Sequence, residues 1–269
     1  MNNPTPVPPP LIDIGANLTH DCFDPDRDEA LDRAAAAGVT RLIVTGASVE
    51  GSRHAVALAD AKPGVLWATA GVHPHHAADY DEAAHADIAG LAQCDNVVAV
   101  GECGLDYFRN FSPKEAQRSA FARQLQTAAA INKPVFLHQR EAHDDFVTIL
   151  DEHADGLAGG VAHCFTAGPA ELLAYLERGL YIGITGWICD ERRGDSLRAA
   201  VRELPLDRLL LETDAPYLVP RDFPEKLPGR RNEPRVLPHV LHAVARAMAC
   251  EPDEVAAAAT ANTEKLFKI

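Results

Sequence analysis

Four short apolar runs, rich in β-branched residues, each end in a side chain that can hold a metal ion or move a proton. Residues 97–102 end in Glu102, 135–138 in His138, 161–163 in His163 and 209–214 in Asp214. Helical sequence follows each run. Parallel strands joined by helices deliver their carboxyl ends to one face, and an eight-fold βα barrel keeps its active site on that face. The repetition therefore constrains fold and site together.

Taken in order, the chain supplies the missing units. Residues 11–17 read as a first strand and 25–37 as a first helix, with Asp24 as its cap, Pro25 at its first position and Gly38 past its end. Strands at 39–45 and 66–71 flank a helix at 50–61, and the third strand feeds a loop carrying His73. A helix at 82–93 leads into the Glu102 strand. Ser112, Pro113 and Glu115 then have the spacing of a capping box with proline at the first helical position. Behind them Phe121, Leu125 and Ala128 recur at helical spacing, which turns one face to the core and leaves Arg118 and Arg123 in water. This helix stops near Asn132, before Pro134. Helices at 144–153 and 169–178, strands at 160–164, 180–184 and 209–213, and closing helices at 236–249 and 253–267 complete the pattern. Eight βα units predict an α/β protein, a single-domain (β/α)8 TIM barrel over residues 11–269. Residues 1–10, with five prolines, read as a flexible, extended arm.

Composition excludes several alternatives. The 269 residues are 47% hydrophobic, enough for a full core, and 25 basic against 39 acidic residues give a net charge of −14. Such a chain does not coat duplex nucleic acid through a general basic surface, although local basic patches remain open to it. Cys22, Cys94, Cys103, Cys164, Cys189 and Cys250 include no C-x-x-C pair, which points to reduced thiols rather than a disulfide framework. No export signal is visible, and no apolar run approaches the ~20 residues of a membrane span. The expectation is a cytoplasmic monomer without a membrane partner.

Side chains alternate across a strand. If Glu102 points into the site, Val100 points inward lower down and Cys103 turns away; the same parity makes His163 functional and Cys164 structural. Glu102, His138 and His163 offer one carboxylate and two imidazoles to a divalent ion, Mg²⁺ first, with Mn²⁺ or Zn²⁺ as alternatives. Asp214 is placed to orient an attacking water and accept its proton, and Glu212 shares its parity as a supporting partner. His73 either hydrogen-bonds a substrate oxygen or the attacking water, or stabilises its turn. His75, His76, His85, His143 and His153 read as ordinary core or surface imidazoles. The loop 221–235 carries five basic residues against three acidic ones. Its paired Arg230 and Arg231, joined by Arg192 and Arg193, are expected to grip phosphate.

With these residues in place the chain resembles the metal-dependent TatD DNases. The matching segments are DIGANLT at 13–19, AGVHPH at 70–75, VGECGLD at 100–106, PVFLH at 134–138, HCFT at 163–166, YIGITGW at 181–187, ETDAPY at 212–217 and RRNEP at 230–234. The resemblance implies a TIM-barrel phosphodiesterase of the amidohydrolase type that attacks single-stranded DNA from its 3′ end, with RNA as a further candidate substrate. It places Glu102, His138 and His163 on metal positions, Asp214 on the catalytic aspartate and His73 on the substrate side. Many relatives begin with an Asp-x-His-x-His pattern whose histidines hold a metal; Gly15 and Asn17 stand at those positions here, so Asn17 or a phosphate oxygen is expected to complete the coordination. Two other readings compete: an amide or ester hydrolase of a small molecule or aminoacyl ester, and a partner-binding barrel without chemistry. The fold alone does not choose among them.

Overall fold

The computed structural model describes residues 9–269, so most of the arm expected over residues 1–10 lies outside the described residues. Strands β1 (Leu11–Ala16), β2 (Val39–Val44), β3 (Leu66–Ala70), β4 (Val97–Asp106), β5 (Val135–Arg140), β6 (Gly160–Ala162), β7 (Tyr181–Ile184) and β8 (Leu209–Leu211) form one parallel sheet in sequence order. Around it lie α1 (Arg27–Ala36), α2 (Val49–Ala61), α3 (Glu82–Leu91), α4 (Lys114–Ile131), α5 (His143–Glu152), α6 (Pro169–Glu177), α7 (Asp195–Glu203), α8 (Leu237–Met248) and α9 (Pro252–Phe267). This is the (β/α)8 TIM barrel that the sequence predicts. No helix of the described residues is long and apolar enough to cross a membrane.

The barrel interior is a plug of one large side chain from nearly every strand. Ile14, Ile43, Trp67, Ala99, Phe136, Val161, Tyr181 and Leu210 pack together, and Leu266 and Phe267 of α9 pack with them. A second, larger cluster joins the outward faces of the strands to the helices. Val100 belongs to that outer layer, contrary to the parity expectation, because a register shift between Gly101 and Cys103 resets the alternation before Glu102. Cys103 does turn away into the outer layer.

Two expected helix starts form differently. Asp24 does not cap α1; Asp26 holds the cap position and its carboxylate goes to Arg33 and Arg231 instead. No capping box forms at α4. Ser112 Oγ donates to His75 O at 2.9 Å and accepts from Ala78 N at 3.1 Å, which ties the turn after β3 to the start of α4.

The same ion network decides the loop after β8. Arg231 donates to Asp26 at 2.6 and 2.8 Å and to Glu233 at 2.8 Å, with its guanidinium 4.7 Å from the Phe23 ring centroid. Arg33 holds Glu233 and Asp26 from the other side. Hydrogen bonds from Arg231 and Arg33 hold the Asp26 carboxyl well below the usual carboxylate range. A depressed carboxylate stabilises the fold above its unfolded value, near 4, and loses that contribution as pH falls through its folded value. Arg231→Ala should therefore cost about 2 kcal/mol and lower the thermal midpoint by roughly 4–8 °C at neutral pH. The deficit should shrink in acid, as followed by circular dichroism; a midpoint within a degree of wild type at pH 7 would remove the network from the account.

Candidate active site

The carboxyl ends of the strands open into a cavity of about 1180 Å³ lined by His73, Glu102, His138, His163, Asp214 and Asn17, among others. Glu102 is its hub. The Glu102 backbone N–H donates to Gly46 O at 2.7 Å, so β4 is pinned across β3 to the turn after β2. Its Oε1 lies 2.8 Å from His163 Nε2, 3.0 Å from His138 Nδ1 and 3.3 Å from His73 Nε2. Burial pushes the Glu102 carboxyl up, but the neighbouring imidazoles, His163 foremost, outweigh it and hold the group well below its ordinary value.

Hydrogen bonds sort the three imidazoles by role. His73 Nδ1 accepts the His75 backbone N–H at 3.1 Å, which leaves the proton of a neutral ring on Nε2. Burial lowers the His73 value well below ordinary, so the ring stays neutral and acts as an N–H donor rather than a metal ligand. His163 is arranged the other way. Its Nδ1 donates to Glu212 Oε2 at 3.2 Å and its Nε2 to Glu102 Oε1 at 2.8 Å, and the two carboxylates outweigh burial and hold its value well above ordinary; a divalent ion would take the place of the Nε2 proton and leave an imidazole backed by a carboxylate. In His138 the buried Nε2 has no hydrogen-bond partner; Asp106 Oδ2 lies 3.5 Å away without hydrogen-bond alignment. The His138 ring thus stands between two carboxylates, Nδ1 toward Glu102 and Nε2 toward Asp106, a setting that suits a divalent ion at either nitrogen. His73, Glu102 and His138 place ligand atoms within 4.8 Å of one another, and His163 adjoins them through Glu102.

Asp214 follows β8 in a left-handed conformation, φ 55°, fixed by its N–H to Gly15 O at 2.8 Å. Asn17 Nδ2 donates to its Oδ1 at 3.0 Å. Burial lifts the Asp214 carboxyl to about 7, with Glu102 and Glu212 pushing the same way against His163 and the Asn17 hydrogen bond. A bound cation would draw it down. The group is accordingly poised to exchange a proton near neutrality.

Glu212 explains the glycine at position 15. Its carboxylate is fully buried, takes His163 Nδ1 on one oxygen and the Cys164 backbone N–H on the other, and fills the space where side chains at positions 15 and 183 would begin. A methyl group at either glycine would strike a Glu212 oxygen.

Arg230 and Arg231 are not among the cavity-lining residues. Arg221 pairs with Glu191, Arg235 with Glu225 and Glu233, and Arg192 and Arg193 with Asp190, so most of the expected phosphate patch is neutralised within the protein. The cations that do line the cavity are Arg109 and Arg140, beyond β4 and on β5. Sequence reasoning missed them, along with Asp106 and His75, which are joined at 2.8 Å. The VGECGLD segment already carried Asp106 four residues past Glu102, the signal that strand β4 continues into the site.

Parallel strands that bring imidazoles and carboxylates to one barrel mouth define a TIM-barrel hydrolase of the metal-assisted kind. Residues 12–268 match the family model described as TatD related DNase. The "3'-5' ssDNA/RNA exonuclease TatD" of Erwinia billingiae is 50% identical over 259 residues, covering 96% of this chain and 99% of the relative. That of Salmonella typhimurium is 47% identical over 259 residues, with the same shares. Among solved structures, the TatD homologue YJJV from Escherichia coli superposes with a TM-score of 0.88 at 31% identity over 96% of this chain and 98% of that one. A hydrolase of the TatD family from Entamoeba histolytica superposes with a TM-score of 0.87 at 26% identity, over 97% of this chain and 99% of that one. The chain belongs to the TatD-related DNase family.

The packing at Gly15 is directly testable. Gly15→Ala should displace Glu212 and cost about 1–3 kcal/mol, the range for overfilling a packed site. Because Glu212 backs His163, divalent-ion content measured by elemental analysis should fall with it; unchanged stability and ion content would show that the space is not limiting.

Proposed function

We propose that the chain is a metal-dependent deoxyribonuclease that removes nucleotides from the 3′ end of single-stranded DNA, with RNA as a second substrate. One observation carries this reading: near-half identity along almost the whole chain to exonucleases of that description, in a molecule whose cavity gathers Glu102, His138, His163, Asp214 and His73. Glu102, His138 and His163 are taken to hold the ion, with Asn17 on the phosphate side. Mg²⁺ is the first candidate, a cytoplasmic monomer the working state.

When bound, a divalent ion would supply Lewis-acid stabilisation of phosphate charge and make water a better nucleophile. The protein groups do the rest. Asp214 takes a proton from the attacking water as its oxygen bonds to phosphorus, and the bond from phosphorus to the 3′-oxygen of the preceding nucleotide breaks. That oxygen is protonated from solvent in the open cavity, and the released nucleotide keeps its 5′-phosphate. The His73 Nε2–H, neutral and fixed by its Nδ1 bond, donates to a non-bridging phosphate oxygen and is aligned before the charge develops. Asn17 holds Asp214 in orientation through its 3.0 Å hydrogen bond.

Digestion of 5′-labelled single-stranded oligonucleotides should give a ladder shortening from the 3′ end with Mg²⁺ or Mn²⁺, and intact substrate with EDTA. Cleavage of a small amide or ester with no action on oligonucleotides would overturn the assignment. Asp214→Asn should fold, bind substrate and lose about 10²- to 10⁴-fold in turnover. The wild-type rate should rise with pH as the Asp214 carboxyl ionises, at or below about 7, and this acidic limb should vanish in the variant. A near-normal rate with the limb intact would remove Asp214 from proton transfer.

A further inference from the structure

Large hydrophobic side chains that stand in solvent are few among the described residues, and the aromatic ones gather at one place. Phe111 is 68% exposed, Tyr217 50% and Phe108 49%. Phe111 and Tyr217 line the catalytic cavity; Phe108 lies beneath Arg140, whose guanidinium sits 3.9 Å from its ring centroid, and Arg140 lines the cavity as well. Exposed phenyl rings carry a solvation cost that a fold without a use for them would bury.

The loops bearing these rings are held still. After β4, Asp106 accepts the Arg109 backbone N–H at 2.7 Å, and Gln117 of α4 bridges Asp106 N at 2.8 Å and Ser112 O at 2.8 Å. Phe111 also leans on His75, with ring centroids 4.7 Å apart. After β8, Tyr217 N donates to Asp214 O at 2.9 Å, and its carbonyl accepts Asn232 Nδ2 at 2.7 Å. The backbone that carries each ring is therefore tied down by hydrogen bonds. In an eight-stranded barrel the loops after the fourth and eighth strands face each other across the mouth, so Phe111 and Tyr217 flank Glu102 and Asp214 from opposite sides.

The two flanks differ in charge. Arg109 and Arg140 stand with Phe108 and Phe111 on the β4–β5 side. The Tyr217 flank has carboxylates near it, Asp214 and Asp21, and the uncharged Asn17 and Leu218 line the cavity there. A single strand entering from its 3′ end presents two unlike parts to such a site. The body of the strand carries a phosphate at every step, whereas the terminal nucleoside beyond the scissile phosphate ends in a neutral hydroxyl.

We infer that Phe111 and Tyr217 are two nucleobase-stacking platforms, with Phe111, Phe108, Arg109 and Arg140 holding the base and phosphates upstream of the scissile bond and Tyr217 holding the 3′-terminal base. The inference rests on the nuclease reading and deepens it. Stacking on an aromatic face is tolerant of base identity, so the site takes single strands of any sequence and rejects paired ends, whose bases are not free to stack.

Steady-state kinetics on oligothymidylates with one abasic residue, at the 3′ terminus or at the position before it, test both halves. Phe111→Ala should raise KM roughly 5- to 150-fold, the span for loss of one stacked base, and Phe111→Trp should restore it. An abasic residue before the terminus should raise KM for the wild type and add little to Phe111→Ala, while a terminal abasic residue should do the same against Tyr217→Ala. Unchanged KM in Phe111→Ala, or masking by the opposite abasic position, would overturn the assignment while leaving the nuclease intact. A wild type that digests no oligonucleotide would overturn the nuclease reading and this inference with it.

Discussion

The barrel depends on how its last strand meets its first, and a buried carboxylate makes that seam. Asp13 of β1 accepts the Thr213 N–H at 2.9 Å and the Thr213 hydroxyl at 2.5 Å, beside the Gly15 N–H at 3.2 Å. Beside it, among the described residues, stand the isolated bridge of Ala16 with Ala215, the backbone bonds from Asn17 N and Asp214 N, and the Asn17–Asp214 side-chain bond. Burial raises the Asp13 carboxyl to about 7 against the pull of its donors. The seam is thus a local polar knot in place of a regular ladder, and it is what sets Asn17 and Asp214 side by side.

Much of this was legible because barrel chemistry repeats in sequence. The runs ending in Glu102, His138, His163 and Asp214 state the strand, its parity and its end at once, and the structure brings all four to one cavity. Glu212 was visible by parity with Asp214. What could not be read was any partner set by sequence-distant geometry. Arg231 looks like a phosphate ligand in RRNEP, yet it is drawn to Asp26, 205 residues away. Asp24 has the better local context for a helix cap than Asp26, but the choice is made by Arg33 and Arg231. Val100 obeys alternation until a bulge two residues later breaks it.

Glu212 shows how one buried carboxylate organises a site from behind. A Cβ at position 15 or 183 would lie 2.4 Å from a Glu212 oxygen, so the carboxylate as it stands leaves room for glycine alone at both positions. The carboxylate supports the His163 ring at Nδ1 and takes the Cys164 N–H on its other oxygen. On the β1 side of the mouth Asn17 contacts Asp214.

The charge distribution follows the same economy. A chain of net charge −14 repels polyanions at long range. Most arginines of the mouth loops are cancelled by partners within hydrogen-bonding reach: Arg193 by Asp190, Arg221 by Glu191, Arg231 by Asp26 and Glu233. Arg109 and Arg140 have no acidic partner among the ion pairs of the described residues, and both stand over Phe108 at the cavity edge. These two cations stand beside imidazoles and aromatic rings. A rigid duplex spreads its phosphates over a wide surface and meets mostly acidic groups there, whereas a flexible single strand can bring one or two phosphates to these cations and its bases to the rings. Selection for single strands then arises as much from what the rest of the surface repels as from what the mouth attracts.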